Sequence, residues 1–224
     1  MSRVLAYCGF QYGPRISLPA VGVNSAQVQV LRQGGLGLLW SEVEWPFAPE
    51  RMQRSAVEFH GVIHNVFGQT AVIPFRLLSV FDDEAALAAF VAEHHQGFLD
   101  DLERLKRFVQ MEFVVYPAPG RAQPDNSSGK AYLEQKAGLV RAIEQHVAHM
   151  SAVLGELSHQ MVVREAKSGH RVFVLVERGR EEAFRETVKE TAVPEGLSRR
   201  TSGPWPAAEF LSDRVKTPQI AGAK

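Results

Sequence analysis

Val109-Gln110-Met111-Glu112-Phe113-Val114-Val115-Tyr116 is the stretch on which the fold turns. Met111, Phe113 and Val115 alternate with Glu112 and Val114, the period-two pattern of a β-strand, and Pro117 and Pro119 end it. Gly120 to Ser128 is polar and rich in proline, serine and asparagine, which predicts a loop. Beyond it Leu133, Lys136, Val140, Ile143, Val147, Met150, Leu154 and Leu157 follow the near-heptad spacing of a long amphipathic helix. Lys136 interrupts that apolar stripe, so its ammonium is expected to snorkel to the rim. Two β-rich runs, 160–166 and 171–178, flank the turn Lys167-Ser168-Gly169-His170. An acid-opened helix from Arg180 to Val193 follows, and Pro194 and Gly196 stop it before a last strand, 197–202. The order strand, helix, strand, strand, helix, strand is the split βαβ of a ferredoxin-like half, an antiparallel sheet with two helices on one face.

That last strand delivers Ser202-Gly203-Pro204-Trp205-Pro206 and, further on, Phe210. Each proline fixes φ and removes an N–H donor, so the segment cannot lie inside a sheet and is expected to leave as a stiff flap. Its aromatics either fold back on the domain as a plug or project toward a partner.

The residues before Val109 read as a separate α+β unit. Arg3 to Phe10 is β-rich, and two apolar runs about Gly34-Gly35 predict a hairpin. Pro49 opens a helix carrying Met52, Ala56, Phe59, Ile63 and Phe67. Ala71 to Phe75 is a short strand in which Pro74 implies an edge or a strand end, and Arg76 follows it. Asp82-Asp83-Glu84 then sits where a helix macrodipole favours acids, ahead of Leu87, Val91, His94, Phe98, Leu102 and Leu105. The expected architecture is α+β in two domains with long amphipathic helices: 1–108, a modified ferredoxin-like sandwich (βαββαβ) at 109–212, and a polar tail at 213–224.

Composition narrows the function classes. In 224 residues, 25 Lys and Arg balance 25 Asp and Glu, so the electrostatic footprint of a nucleic-acid binder is missing. Cys8 is the lone cysteine, which excludes an internal disulfide and a cysteine zinc cluster and suits a reducing compartment. No apolar block reaches the ~18 residues of a membrane span, and the expected location is cytoplasmic. His60 and His64 share a helical face, but Gly61 stands where a zinc protease has glutamate. Ser128-Gly129-Lys130 lacks the earlier glycine of a P-loop, and Ala131 replaces its Ser/Thr. No nucleophile has a base beside it in sequence, so no catalytic residue, cofactor or metal ligand is assigned.

Several motifs coincide in order: Val72-Ile73-Pro74-Phe75-Arg76 with Val80-Phe81, Met111 to Val115, Ser128-Gly129-Lys130-Ala131-Tyr132-Leu133-Glu134-Gln135-Lys136, Val172 to Val176, and Ser202-Gly203-Pro204-Trp205-Pro206 with Phe210. In these the chain resembles the gas vesicle synthesis protein family GvpL/GvpF. It departs from the pattern at Leu77-Leu78-Ser79, where the family has Phe-Gly-Thr, and at Ala207-Ala208-Glu209, where it has a second proline and Tyr-Ser. The resemblance implies a non-enzymatic accessory component of gas vesicle formation. It would bind the small hydrophobic shell protein, GvpA-type, during assembly, with other gas vesicle accessory proteins as further partners. Arg76, Tyr132, Lys136, Trp205 and Phe210 are the partner-interface candidates. The competing class is a small-ligand or metal-dependent enzyme with His60, His64 and Arg76 in a cleft. A nucleic-acid module would instead need paired aromatics on one sheet face, for which Phe113 and Phe173 are the candidates.

Overall fold

Seven consecutive residues, Val4 to Phe10, are buried in the first strand, so both faces of that strand are covered. This strand, β1 (Ser2–Gln11), is the centre of the first of two antiparallel sheets in the computed structural model. The structure describes residues 1–119, 129–166 and 169–213, the side chains of 129, 131, 132 and 135 excepted. Contacts divide the described residues into two units, 1–107 together with 206–213, and 108–205. Residues 206–212, expected in the second domain, thus group with the first.

In the first unit β1 lies between β3 (Leu36–Glu44) and β4 (Val72–Pro74), and β2 (Gln29–Gln33) pairs with β3. The two-residue turn Gly34-Gly35 has φ of +52° and +85°, the left-handed geometry that lets strand twist continue through a tight hairpin. Leu36 to Ser41 are buried as continuously as β1. β5 (Val80–Phe81) pairs with β1 beyond β4. Pro74 ends β4 because it has no N–H to continue a ladder. The connecting turn is held by Ser79 N donating to Arg76 O (2.8 Å) and Arg76 N to Ser79 Oγ (3.2 Å), while Ala6 N reaches Ser79 O (3.1 Å). A serine hydroxyl therefore organises the turn that Leu77-Leu78 form.

Two helices complete this unit, α1 (Met52–Phe67) and α2 (Glu84–Leu105). Asp83 caps α2 by accepting from Ala86 N at 2.8 Å. Its apolar side buries Leu87, Val91, Phe98, Leu102 and Leu105, and Phe98 lies 3.3 Å from where a Cβ on Gly9 would stand. Each such side chain contributes about 1.5–3 kcal/mol by leaving water. On α1, Phe59 meets Tyr7 with ring centroids 5.2 Å apart. Val23 N donates to the Tyr7 hydroxyl at 3.0 Å, which anchors the 20–28 loop, and Asn24 N donates to Glu58 Oε2 at 2.8 Å. That backbone N–H, with Arg54, holds the Glu58 carboxyl below its ordinary range.

In the second unit the order is β6 (Phe108–Pro117), α3 (Gly129–Val153), β7 (Gln160–Ala166), β8 (Gly169–Glu177), α4 (Glu181–Glu190) and β9 (Leu197–Trp205). The strands lie β7-β8-β6-β9, all antiparallel. Met111 opposes Val174 and Phe113 opposes Val172, and all four are fully buried. Phe184, Val188, Ile143, Val147 and Met150 of the helices are buried too, as is Leu154 just past the end of α3. Among the described residues, four α-helices and two sheets make up this α+β architecture.

Candidate interaction surface

The five residues singled out from sequence fall in both units, Arg76 and Phe210 in the first and Tyr132, Lys136 and Trp205 in the second. Arg76 is exposed at the β4–β5 turn of the first unit. Tyr132 and Lys136 lie on the first turns of α3, and the Tyr132 side chain falls outside the described residues. Lys136 is exposed, and it does not snorkel from a packed stripe. The stripe itself is uncovered there: Leu133 (64% exposed) and Val140 (40%) precede Ile143, the first buried residue of the described helix.

Trp205 ends β9 and is not on a flap. Its backbone pairs with Gln110, across a register shift between Gln110 and Glu112 that absorbs Gly203. Gly203 has φ of +114°, and a Cβ there would lie 3.0 Å from Gln110 O and Met111 Sδ, so the bulge requires glycine. Proline is tolerated because β9 is an outer strand. The Trp205 ring stays 44% exposed, and its Nε1 donates to Ser202 Oγ at 3.3 Å.

Phe210 behaves oppositely. It is 5% exposed, at the end of the short turn Ala208–Phe210 within the first unit, and so it offers no surface to a partner. Its carbonyl accepts from Arg104 Nη2 (2.6 Å), which also donates to Asp101 Oδ1 (2.6 Å). Ser212 N (2.8 Å) and Ser212 Oγ (2.9 Å) both donate to Asp101 Oδ2. Asp101 is 2% exposed, so its charge is satisfied by hydrogen bonds and not by water. Sequence reasoning passed over this clasp. The available signal was the spacing of Asp101 between Phe98 and Leu105 on the buried side of α2.

The register of the second sheet also settles which side chains share a face. Phe113 points to the helix side while Phe173 opposes Glu112 on the other, so the two aromatics cannot form one stacking platform. Glu112, 6% exposed, accepts from Arg171 through Nε (2.8 Å) and Nη2 (2.7 Å), and Ser202 Oγ lies 3.3 Å from its other oxygen. The Arg171 guanidinium is 5.4 Å from the centroid of Phe173. On the helix side Arg199 donates to Val188 O and to Thr191 O (2.8 Å), carbonyls at the end of α4 where a cation is favoured. Its Nη1 lies 3.3 Å from His146 Nε2. Burial, then Arg199 and His149, hold His146 below the ordinary imidazole range.

The outer strands differ in what they leave open. β7 has seven residues, none buried and none proline, with Val163 44% exposed and Met161 and Val162 half-buried. β9 is bulged and contains Pro204, β4 ends at Pro74, β5 has two residues, and β2, also without proline, is shorter at five.

His60 and His64 are both exposed on α1, and among the described residues no group of three or more His, Cys, Asp or Glu could hold a metal ion. Cys8 is fully buried, and burial pushes its thiol up to about 12, away from the thiolate form. No described helix is long and apolar enough to cross a membrane.

Comparison with known proteins agrees along nearly the whole chain. The family model described as gas vesicle synthesis protein GvpL/GvpF matches residues 3–212. Gas vesicle protein L of a Streptomyces species is 25% identical over 229 residues, covering 85% of each chain. The crystal structure of the gas vesicle protein GvpF from an Anabaena species superposes with a TM-score of 0.76 at 13% identity, over 95% of this chain and 97% of that one. GvpF from Microcystis aeruginosa gives 0.74 at 10% identity, over 94% and 99%. At these identities the two structures speak to the fold.

Proposed function

The chain belongs to the gas vesicle synthesis protein GvpL/GvpF family, and from that premise we propose that it is an accessory component of gas vesicle formation that binds the small hydrophobic shell protein during assembly. A shell subunit that will face gas carries apolar surface and strand edges, which are aggregation hazards until they are covered. The observation that carries this reading is β7 itself, an outer strand of seven residues without proline that exposes Val163 and pairs, among the described residues, with β8. Strand addition there would supply main-chain hydrogen bonds, with Met161 and Val163 offering apolar contact. The second unit reads as a modified ferredoxin-like sandwich, supported by its strand order and its two intervening helices. Trp205 and the uncovered start of α3 are further contact candidates, and other gas vesicle accessory proteins are further partners.

The test is light scattering of the shell protein on dilution from denaturant, with and without this chain. Wild type should delay aggregation. Val163→Lys, which places a charge on the edge strand, should remove most of that delay while leaving thermal unfolding in place. Equal scattering with and without the wild-type chain would overturn the reading.

A further inference from the structure

On the face of the second sheet opposite α3 and α4, strand register aligns Arg164 of β7 with Arg171 of β8, Arg171 with Val114 of β6, and Val114 with Arg200 of β9. Directly paired residues share a face, so three guanidinium groups lie in one row across four strands, roughly 14 Å from end to end at the usual strand spacing. All three arginines are solvent-exposed, Arg171 with 51% of its side chain. Val162, Phe173, Glu112 and Ser202 form the adjacent row, and there Glu112 fixes the Arg171 guanidinium from two nitrogens.

We infer that this arginine row is a docking surface for an acidic protein segment, one that presents two or three carboxylates over about three helical turns, the length that matches the row. Planar guanidinium groups bind carboxylates through paired N–H donors, and the middle one, whose Nε and Nη2 are on Glu112, contributes through its remaining N–H groups. A nucleic acid fits less well. Binding on a sheet of this kind needs exposed aromatics for base stacking, whereas Phe173 is 6% exposed and Trp205 stands two rows away at the far end of β9. The inference concerns a face distinct from the β7 edge and does not depend on recognition of the shell protein.

The experiment is fluorescence anisotropy with three labelled probes: a helical 20-mer bearing glutamates one turn apart, the same peptide with glutamines, and a 20-nucleotide oligouridine. The glutamate peptide should bind at 25 mM salt and weaken at least tenfold at 300 mM. Arg164→Glu/Arg200→Glu should lose that binding at least tenfold, and Lys189→Glu on α4 should keep it. Circular dichroism of each variant separates lost binding from lost fold, and Arg200→Gln alone, with a severalfold loss, serves if the double variant unfolds. Absent binding of the glutamate peptide, equal affinity of both peptides, equal affinity of wild type and the folded arginine variant, or tighter binding of oligouridine would each overturn the inference.

Discussion

Replacing Asp101 by alanine should detach the chain end from the first unit. The carboxylate is 2% exposed and accepts two hydrogen bonds from Ser212 and one from Arg104. Hydrogen bonds to a charged group are each worth about 1.5–3 kcal/mol net. Arg104 is 45% exposed, keeps its bond to Phe210 O and is largely screened by solvent, so its share is small. Removing the carboxylate also removes the cost of burying it, which offsets part of the loss. The balance is about 3 kcal/mol. For a unit of roughly 110 residues this corresponds to about 12 °C in Tm, at about 4 °C per kcal/mol. Scanning calorimetry measures the shift, and hydrogen exchange at the Phe210 and Ser212 amides reports the release directly. Ser212→Ala should lower stability by only about 1 kcal/mol, because its backbone N–H still reaches the carboxylate. In the Asp101→Ala background the same serine change should cost almost nothing, since its partner is gone. A Tm for Asp101→Ala within 2 °C of wild type, or full additivity of the two changes, would refute the clasp as a stabilising element.

Three further outcomes follow from buried contacts. Gly22→Ala would place a Cβ 2.2 Å from the Tyr7 hydroxyl oxygen, so it should destabilise by about 1–3 kcal/mol, and Tyr7→Phe in the same chain should recover part of that in urea unfolding. His146 has a folded pKa below its unfolded value, so the unfolded chain takes up the proton first. Stability should therefore fall as pH drops through about 6.5 and level out below the folded pKa, and urea titrations of His146→Gln should lack that part of the pH dependence. Cys8, with its thiol raised to about 12, should resist iodoacetamide at pH 8 in the native protein and react once urea unfolds it, as mass spectrometry of the alkylated chain would show.

The period of apolar residues is a local property, and it specified the elements. Asp83 at the start of α2, the Gly34-Gly35 hairpin, Pro74 at the end of β4 and the order of elements along the second unit were all legible from neighbours a few positions apart. Length misled only where a helix extends past its support: Lys136 and Val140 continue the spacing of Ile143 and Val147 but meet no sheet. Polar groups were legible as types and not as roles. Asp101 is buried because Ser212 arrives from 111 positions away, and Glu112 because Arg171 arrives from 59. Likewise Phe113 and Phe173, both in alternating strands, are assigned to opposite faces only by the register between β6 and β8. The sequence by itself determined the elements, their order and the family, since each rests on short-range spacing and residue type. Tertiary structure alone decided that Trp205 stays at a bulged sheet edge while Phe210, five residues on, is buried in the other unit, because a side chain's burial depends on what distant backbone is brought against it.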